Sequence, residues 1–381
     1  MDSYFRAMEK ACERTQENRQ TKERTSPGDY WPPAYLGNLR RIATAGKPHS
    51  TAGNIQTVRN LPACCMDHSV KSPQAIIQPR LRRFLRTLQS ELRTSLRLYL
   101  RTSSGRRSLR IRGIEASPFW LQLPLWVASH GGNQKGNRLN AYFLANVTWA
   151  QFCVFLSIKI QDDLFDGHTN NQKLMYPATI LLLEAQRSLL THFSDGSPFW
   201  PFYSLSLRQT YSAILETDRT QLKGPVSDVR IAQIYSKGYS ACKISLFAVC
   251  LKARRLALFP QLSALMDELA VIGQLMDDFE DIEKDLKRGR LNYAAHYLLG
   301  RPKRTSAERS VLLNRIERNM LLKGTAEGFF EMLRRHLHNA SHICKRLKIR
   351  EITNCVFSFE KTIDATASSL HHQRVALLTA K

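Results

Sequence analysis

The sequence is short of acid: 32 Asp and Glu stand against 56 Lys and Arg in 381 residues, a formal net charge of +24. It lacks other signals as well. Its eight cysteines form no CxxC pair, which excludes the usual structural zinc patterns. Several of them lie inside apolar segments, so buried thiols in a reducing compartment are expected rather than a disulfide framework. There is no Gly-rich loop of the P-loop or dinucleotide type, and no predicted strand that such a loop would follow. Internal repeats and long low-complexity tracts are missing, as is an apolar leader in the opening MDSYFRAMEKACERTQENRQ. The best candidate for a membrane span, AYFLANVTWAQFCVFLSI at 141–158, is short for that task and carries Asn146, Thr148 and Gln151. It reads as a buried core helix. The expectation is a cytoplasmic globular chain, long enough to bury a large core.

What is present begins with the uneven charge. From Lys71 to Arg112, twelve basic residues meet one acidic residue, Glu91. Such a balance invites nucleic acid, an anionic membrane surface or polyanionic substrates, or it is simply a solvated face. Residues 1–78 mix charge with SPGDYWPPAYLGN and show little periodicity, and read as a poorly structured extension. Within 79–114, Leu81, Leu85, Leu88, Leu92, Leu96 and Tyr99 recur at helical spacing with arginines largely on other faces, which predicts a basic amphipathic helix and a linker. From 115 to 381 the pattern is helical throughout, with segments at 118–128, 139–166, 173–193, 202–222, 228–256, 258–287, 306–321, 325–347 and 350–370. The fold class expected is an all-α bundle of nine or ten helices.

Two acidic clusters carry the chemistry. The run IQDDLFDG follows the apolar segment and holds Asp162, Asp163 and Asp166, with 162 and 166 one helical turn apart. Like charges so placed repel unless a cation or solvent relieves them. A polar helix end reaching water would explain this cluster alone. GQLMDDFEDIEKDLKRGR at 273–290 repeats the arrangement: Asp277, Asp281 and Asp285 share a helical face, with Asp278 beside them, again after an apolar helix. Mg²⁺ takes carboxylate oxygens and bridges them to phosphates, so two such clusters at a cavity mouth suit several ions around one diphosphate. The apolar helices beneath would receive a hydrophobic substrate.

The pair DDLFD and DDFED resembles the two aspartate-rich motifs of class I isoprenoid synthases, most closely trans-polyprenyl diphosphate synthases. Lys243 in GYSACKISLFAVC is similar to their diphosphate-binding Lys-Thr segment, with Ile244 at the threonine position. GGNQKGNR at 131–138 is similar to their Gly-Gly-Lys-Arg element. Gln274, Asp281, Asp285, Gly289 and Arg290 resemble the second motif of squalene and phytoene synthases, and the 277, 281, 285 stripe has the spacing of the terpene cyclase metal triad. The stretch after the first motif, GHTNNQKLM, holds only His168 and Lys173 where the chain-elongating enzymes have paired arginines.

The resemblance implies a helical bundle around a central apolar cavity and an Mg²⁺-dependent prenyltransferase, with Mn²⁺ as an alternative ion. A class I terpene cyclase and a head-to-head squalene-like enzyme are the alternatives within the superfamily. A basic nucleic-acid- or membrane-binding protein is the alternative outside it. Metal ligands would be Asp162, Asp163, Asp166, Asp277, Asp278 and Asp281, with Asp285 as a further one. Lys243, Arg290, Lys135 and Arg138 would hold diphosphate. Their plain alternatives are a snorkelling lysine, an arginine at a helix end and two loop charges. Gln274 would approach the developing cation, and Phe155, Ser157 and Ile158 would set cavity depth, the small Ser157 leaving more of it. The expected partners are a prenyl diphosphate, an anionic membrane surface through the basic helix, and a second copy of the chain; no nucleic acid is expected.

Overall fold

The computed structural model describes residues 72–101, 119–130, 139–223, 227–300 and 309–379. Lys135, Arg138 and the extension up to residue 71 lie outside the described residues. Those described are mostly helical and contain no strand. In chain order the helices are α1 Pro73–Thr87, α2 Ser90–Tyr99, α3 Phe119–Ser129, α4 Ala141–Phe165, α5 Met175–Leu190, α6 Phe199–Lys223, α7 Asp228–Gly238, α8 Ile244–Lys252, α9 Phe259–Glu280, α10 Ile282–Lys287, α11 Tyr293–Leu298, α12 Arg309–Leu322, α13 Thr325–Leu347 and α14 Arg350–Thr379. The all-α expectation therefore holds for the described residues.

Several boundaries differ, each for a visible reason. The first helix starts at Pro73, inside the stretch read as part of the extension. Ser72 caps it by accepting from the Ala75 amide, and Pro73 stands at the first turn, where its missing N–H costs nothing. The single basic helix is two, because Leu88 and Gln89 are extended and turn the chain. The segment 228–256 is split by a 3₁₀ turn, Ser240–Lys243. This turn is pinned from outside: the Gln151 side chain donates to the Ala241 carbonyl at 3.1 Å and accepts from the Ser245 amide at 3.1 Å. Thr210 Oγ1 accepts from the Ala241 amide at 2.9 Å. Likewise 258–287 breaks at Asp281, which leaves helical geometry and separates α9 from α10.

Two helices organise the rest. α4 and α9 are long and apolar enough to cross a membrane, yet most of α4 and half of α9 are buried inside the protein. A helix apolar nearly all round is normally enclosed, and α4 largely is. α1, α3, α5 and α8 pack around α4, while α7, α8, α11 and α13 pack around α9, so α8 touches both. Phe202, Phe247 and Phe259 pack with ring centroids 4.1–5.2 Å apart between α6, α8 and α9, one pair stacked and two edge-to-face, and Phe279, Phe329 and Phe330 pack likewise at 5.0–5.7 Å between α9 and α13. The apolar faces of α1 and α2 are spent on this core: Ile77, Leu81, Phe84, Leu85, Leu88, Leu96 and Tyr99 are buried. Arg82, Arg83, Arg86, Arg97 and Arg101 point outward.

One close approach is testable. A Cβ at Gly328 on α13 would lie 2.7 Å from Tyr297 Oη on α11, while the next ring atom is an ordinary 3.7 Å away. Gly328→Ala gains about 1 kcal/mol of helix propensity but meets an overpacking cost of about 1–3 kcal/mol, so a net loss is expected in urea unfolding. In a Tyr297→Phe background the clash is gone, and the same Gly328→Ala change should stabilise. A loss of equal size in both backgrounds would contradict this packing.

Candidate functional site

The first acidic motif is the C-terminal turn of α4. Phe155, Ile158, Lys159 and Asp162, with Asp166 just past the helix end, are half-exposed and fall on one face; Gln161 and Leu164 are half-exposed on others. Asp163, at the edge of this face, is fully buried. A buried carboxylate needs partners, and Asp163 has three: Tyr99 Oη donates at 2.6 Å, Lys159 Nζ at 2.8 Å, and His168 Nδ1 lies at 3.0 Å. Lys159 also donates to Asp162 at 3.2 Å. Burial works against the Lys159 charge, but Asp162 and Asp163 overcome it and raise the ammonium above its ordinary range. Burial pushes the Asp162 carboxyl up; Lys159 opposes this and Asp166 adds to it. Gly167, with φ of +67°, ends the helix where an L side chain would be strained.

The second motif closes α9 and forms α10. Here the half-exposed or exposed face runs through Gly273, Gln274, Asp277 and Asp281. A Cβ added at Gly273 would meet no atom within 4 Å, so open space borders the helix there although Ile272 and Leu275 beside it are buried. Asp278 is buried, accepting from Tyr235 Oη and from Gln274 Nε2 at 3.2 Å. Burial pushes its carboxyl up to about 7 against the pull of those two bonds, with Asp285 and Asp277 adding to the rise. Glu280 is likewise raised to about 7, by burial and by Asp281. Asp281 pairs with Lys284. Asp285 accepts from Asn292 Nδ2 at 2.8 Å, and its carboxyl is raised by burial more than that bond lowers it.

These clusters meet. Arg290 Nη1 lies 2.6 Å from Asp166 Oδ1, an ion pair across 124 positions of sequence. Tyr239, at the start of the pinned 3₁₀ turn, feels Asp277 from one cluster and Asp162 and Lys159 from the other; burial and the two carboxylates raise its phenol. Asp285 in turn is eased by His168. The ends of α4 and α9 thus share one region, with Tyr239 and Arg290 between them.

Among the described residues, no three His, Cys, Asp or Glu side chains converge as a ready-made metal cage. Mg²⁺ does not require one: it keeps waters and is held through one or two carboxylates plus phosphate. The donor set is hard oxygen, and Asp162 with Asp166 and Asp281 with Asp285 are pairs whose mutual repulsion a cation would relieve. The residues fit the ion.

Not every predicted residue joins the cluster. Lys243 is ion-paired with Asp267 at 2.7 Å, and Asp267 lies roughly 15 Å along α9 from Asp277 at 1.5 Å per residue. Ser157 is fully buried against α5, donating to the Ala178 carbonyl at 2.7 Å and accepting from Gln161 at 3.1 Å. It does not share the half-exposed face with Phe155 and Ile158. Phe155 packs on Trp120 of α3 with ring centroids 4.2 Å apart. Lys159, Tyr99, Tyr235, Tyr239 and Asn292 join the clusters although neither motif includes them as site residues. Of these, Lys159 was legible, since three- and four-residue spacing to Asp162 and Asp163 signals an ion pair on a helix. The tyrosines reach the site from other segments, and no local pattern marks them.

No family model matches the chain, and no curated protein matches it.

Asn292 ties the second cluster together. Buried itself, it donates to the Asp278 carbonyl at 2.7 Å and to Asp285, and its Oδ1 accepts from the Ala295 amide at 2.9 Å to cap α11. Asn292→Ala removes the cap and leaves a buried carbonyl and carboxylate short of a donor. An expected loss of about 2–4 kcal/mol in urea unfolding follows; an unchanged midpoint would contradict it.

Proposed function

We propose that this protein is an Mg²⁺-dependent isoprenoid-forming enzyme that ionises an allylic prenyl diphosphate, with prenyl transfer as the reaction favoured over cyclisation or head-to-head joining. The observation that carries the reading is the Arg290–Asp166 pair, with Tyr239 between the clusters: two acid-rich helix ends, remote in sequence, form one site. The resemblance of both motifs to class I isoprenoid synthases supports the same reading.

The chemistry asked of the residues is simple. The allylic C–O bond breaks and its electron pair leaves with the diphosphate; a second isoprenoid double bond attacks the resulting cation, and the new cation gives up a proton to the released diphosphate. Bound Mg²⁺ would supply charge for the departing diphosphate, held by Asp162 and Asp166 on one side and Asp277 and Asp281 on the other. Arg290 is placed to contact phosphate oxygens with a planar, permanently charged fork. Phe155 and Ile158 on α4, and Gln274 and Gly273 on α9, are the half-exposed residues that precede the two acidic ends, and a prenyl chain would lie against them. Charges already aimed at the leaving group need little reorganisation, which is the main source of acceleration in this scheme. No covalent nucleophile is called for. The outward arginines of α1 and α2 suit an anionic lipid surface, and Tyr99 ties α2 directly to the site through Asp163.

At least one of geranyl, farnesyl and geranylgeranyl diphosphate should be consumed in Mg²⁺ and not in EDTA, and for prenyl transfer the consumption should depend on added isopentenyl diphosphate. Asp162→Ala and Asp281→Ala should each lower turnover by at least about a hundredfold, the scale of losing a group that stabilises transition-state charge. Mass spectrometry then reads the product: a longer diphosphate signals transfer, a hydrocarbon or alcohol without isopentenyl diphosphate signals cyclisation. Phosphatidylserine vesicles should raise turnover of the longest substrate, and high salt should remove the gain. No Mg²⁺-dependent turnover from folded protein with any of these substrates would overturn the proposal.

A further inference from the structure

A diphosphate brings several negative charges into a region already crowded with aspartates, so the site must supply cations of its own. The stretch after the first motif supplies little: Lys173 is paired with Glu91 on α2, both well exposed. Lys243 is held by Asp267, deeper along α9. The cations that do reach the clusters include Arg290 on Asp166, Lys284 on Asp281, and Lys159. Lys159 differs from the others. It projects from the half-exposed face of α4, one turn below the motif, with its ammonium between Asp162 and Asp163. Asp163 keeps Tyr99 and His168 if Lys159 leaves, so the lysine is not needed to satisfy that buried carboxylate. Its flexible stem and three donors let it change partners without moving the backbone.

Resting on the function proposed above, we propose that Lys159 is a diphosphate-binding residue that works by partner exchange: it neutralises Asp162 in the structure described, and turns to a phosphate oxygen when Mg²⁺ takes that carboxylate. Arg290 makes the same exchange at Asp166. The two cations then compete with metal when metal comes alone and cooperate with it when metal arrives with diphosphate. Binding of the two is coupled in this way, and the coupling is reciprocal. A lysine that only balances charge in the fold would compete with metal and contribute nothing to phosphate.

The test is a pair of titrations by calorimetry on the full chain, with Mg²⁺ alone and with inorganic pyrophosphate at saturating Mg²⁺. Lys159→Gln should bind Mg²⁺ alone several-fold more tightly, because a competing cation is gone. The same variant should bind pyrophosphate about ten- to a hundredfold more weakly, the scale of one charge-assisted hydrogen bond. Opposite signs from one substitution are the signature. Lys159→Arg, which keeps the charge, should recover most of the pyrophosphate affinity. Pyrophosphate binding unchanged or tighter in Lys159→Gln would overturn the exchange while leaving the proposed function standing. Loss of both affinities together, with Lys159→Arg failing to restore them, would mark a lysine needed only for the fold and would overturn the exchange too. Wild-type protein that binds pyrophosphate in neither Mg²⁺ nor Mn²⁺ would overturn the function itself, and this inference with it.

Discussion

Carboxylate crowding at the ends of α4 and α9 is the constraint around which the rest of the structure is arranged. Asp162, Asp163, Asp166, Asp277, Asp278, Asp281 and Asp285 are gathered at one place in a chain with few acids to spend. Several of them are at least half-buried, and burying an unpaired charge is costly. The structure responds in three ways. It supplies cations at Lys159, Lys284 and Arg290. It supplies phenol, amide and imidazole partners at Tyr99, Tyr235, Asn292 and His168. And it tolerates carboxyl groups such as Asp278 whose affinity for a proton is raised to about 7.

A fold selected for stability alone would place apolar residues at these positions, since replacing buried ionic groups by packed hydrophobes is often neutral or stabilising. The chain instead builds a rigid aromatic core beneath the clusters. Phe247 and Phe259 fix α8 against α9, and Gln151 and Thr210 fix the turn that presents Tyr239. α2 contributes Tyr99, so the basic N-terminal helices brace the acidic rim as well as facing outward. Strain from like charges is thus held by packing on every side, and a divalent ion would relieve it.

Much of this was legible in the sequence. The bounds of α13 were read residue for residue, and those of α4 to within two residues, because an uninterrupted apolar or amphipathic period needs no tertiary help. Both acidic clusters were found from spacing and Arg290 from the family resemblance, and the structure pairs Arg290 with Asp166. What escaped was whatever depends on distant partners. The turn at Ser240–Lys243 contains no proline and exists because Gln151 and Thr210 hold it. The break at Asp281 swings Asp285 from the stripe towards Asn292, so a regular i, i+4, i+8 ladder becomes two short arcs. Lys243 looked like a site residue because of its neighbours in sequence; its neighbour in space is Asp267.

The claim on which the account turns is that both acidic helix ends hold divalent ions around one diphosphate. Crystals grown with Mn²⁺ and pyrophosphate, measured at the manganese edge, test it directly. The account expects anomalous peaks ligated from both sides, by Asp162 or Asp166 and by Asp277 or Asp281, with pyrophosphate bridging them. Manganese absent from this region, or bound at one helix end with pyrophosphate elsewhere, would contradict it.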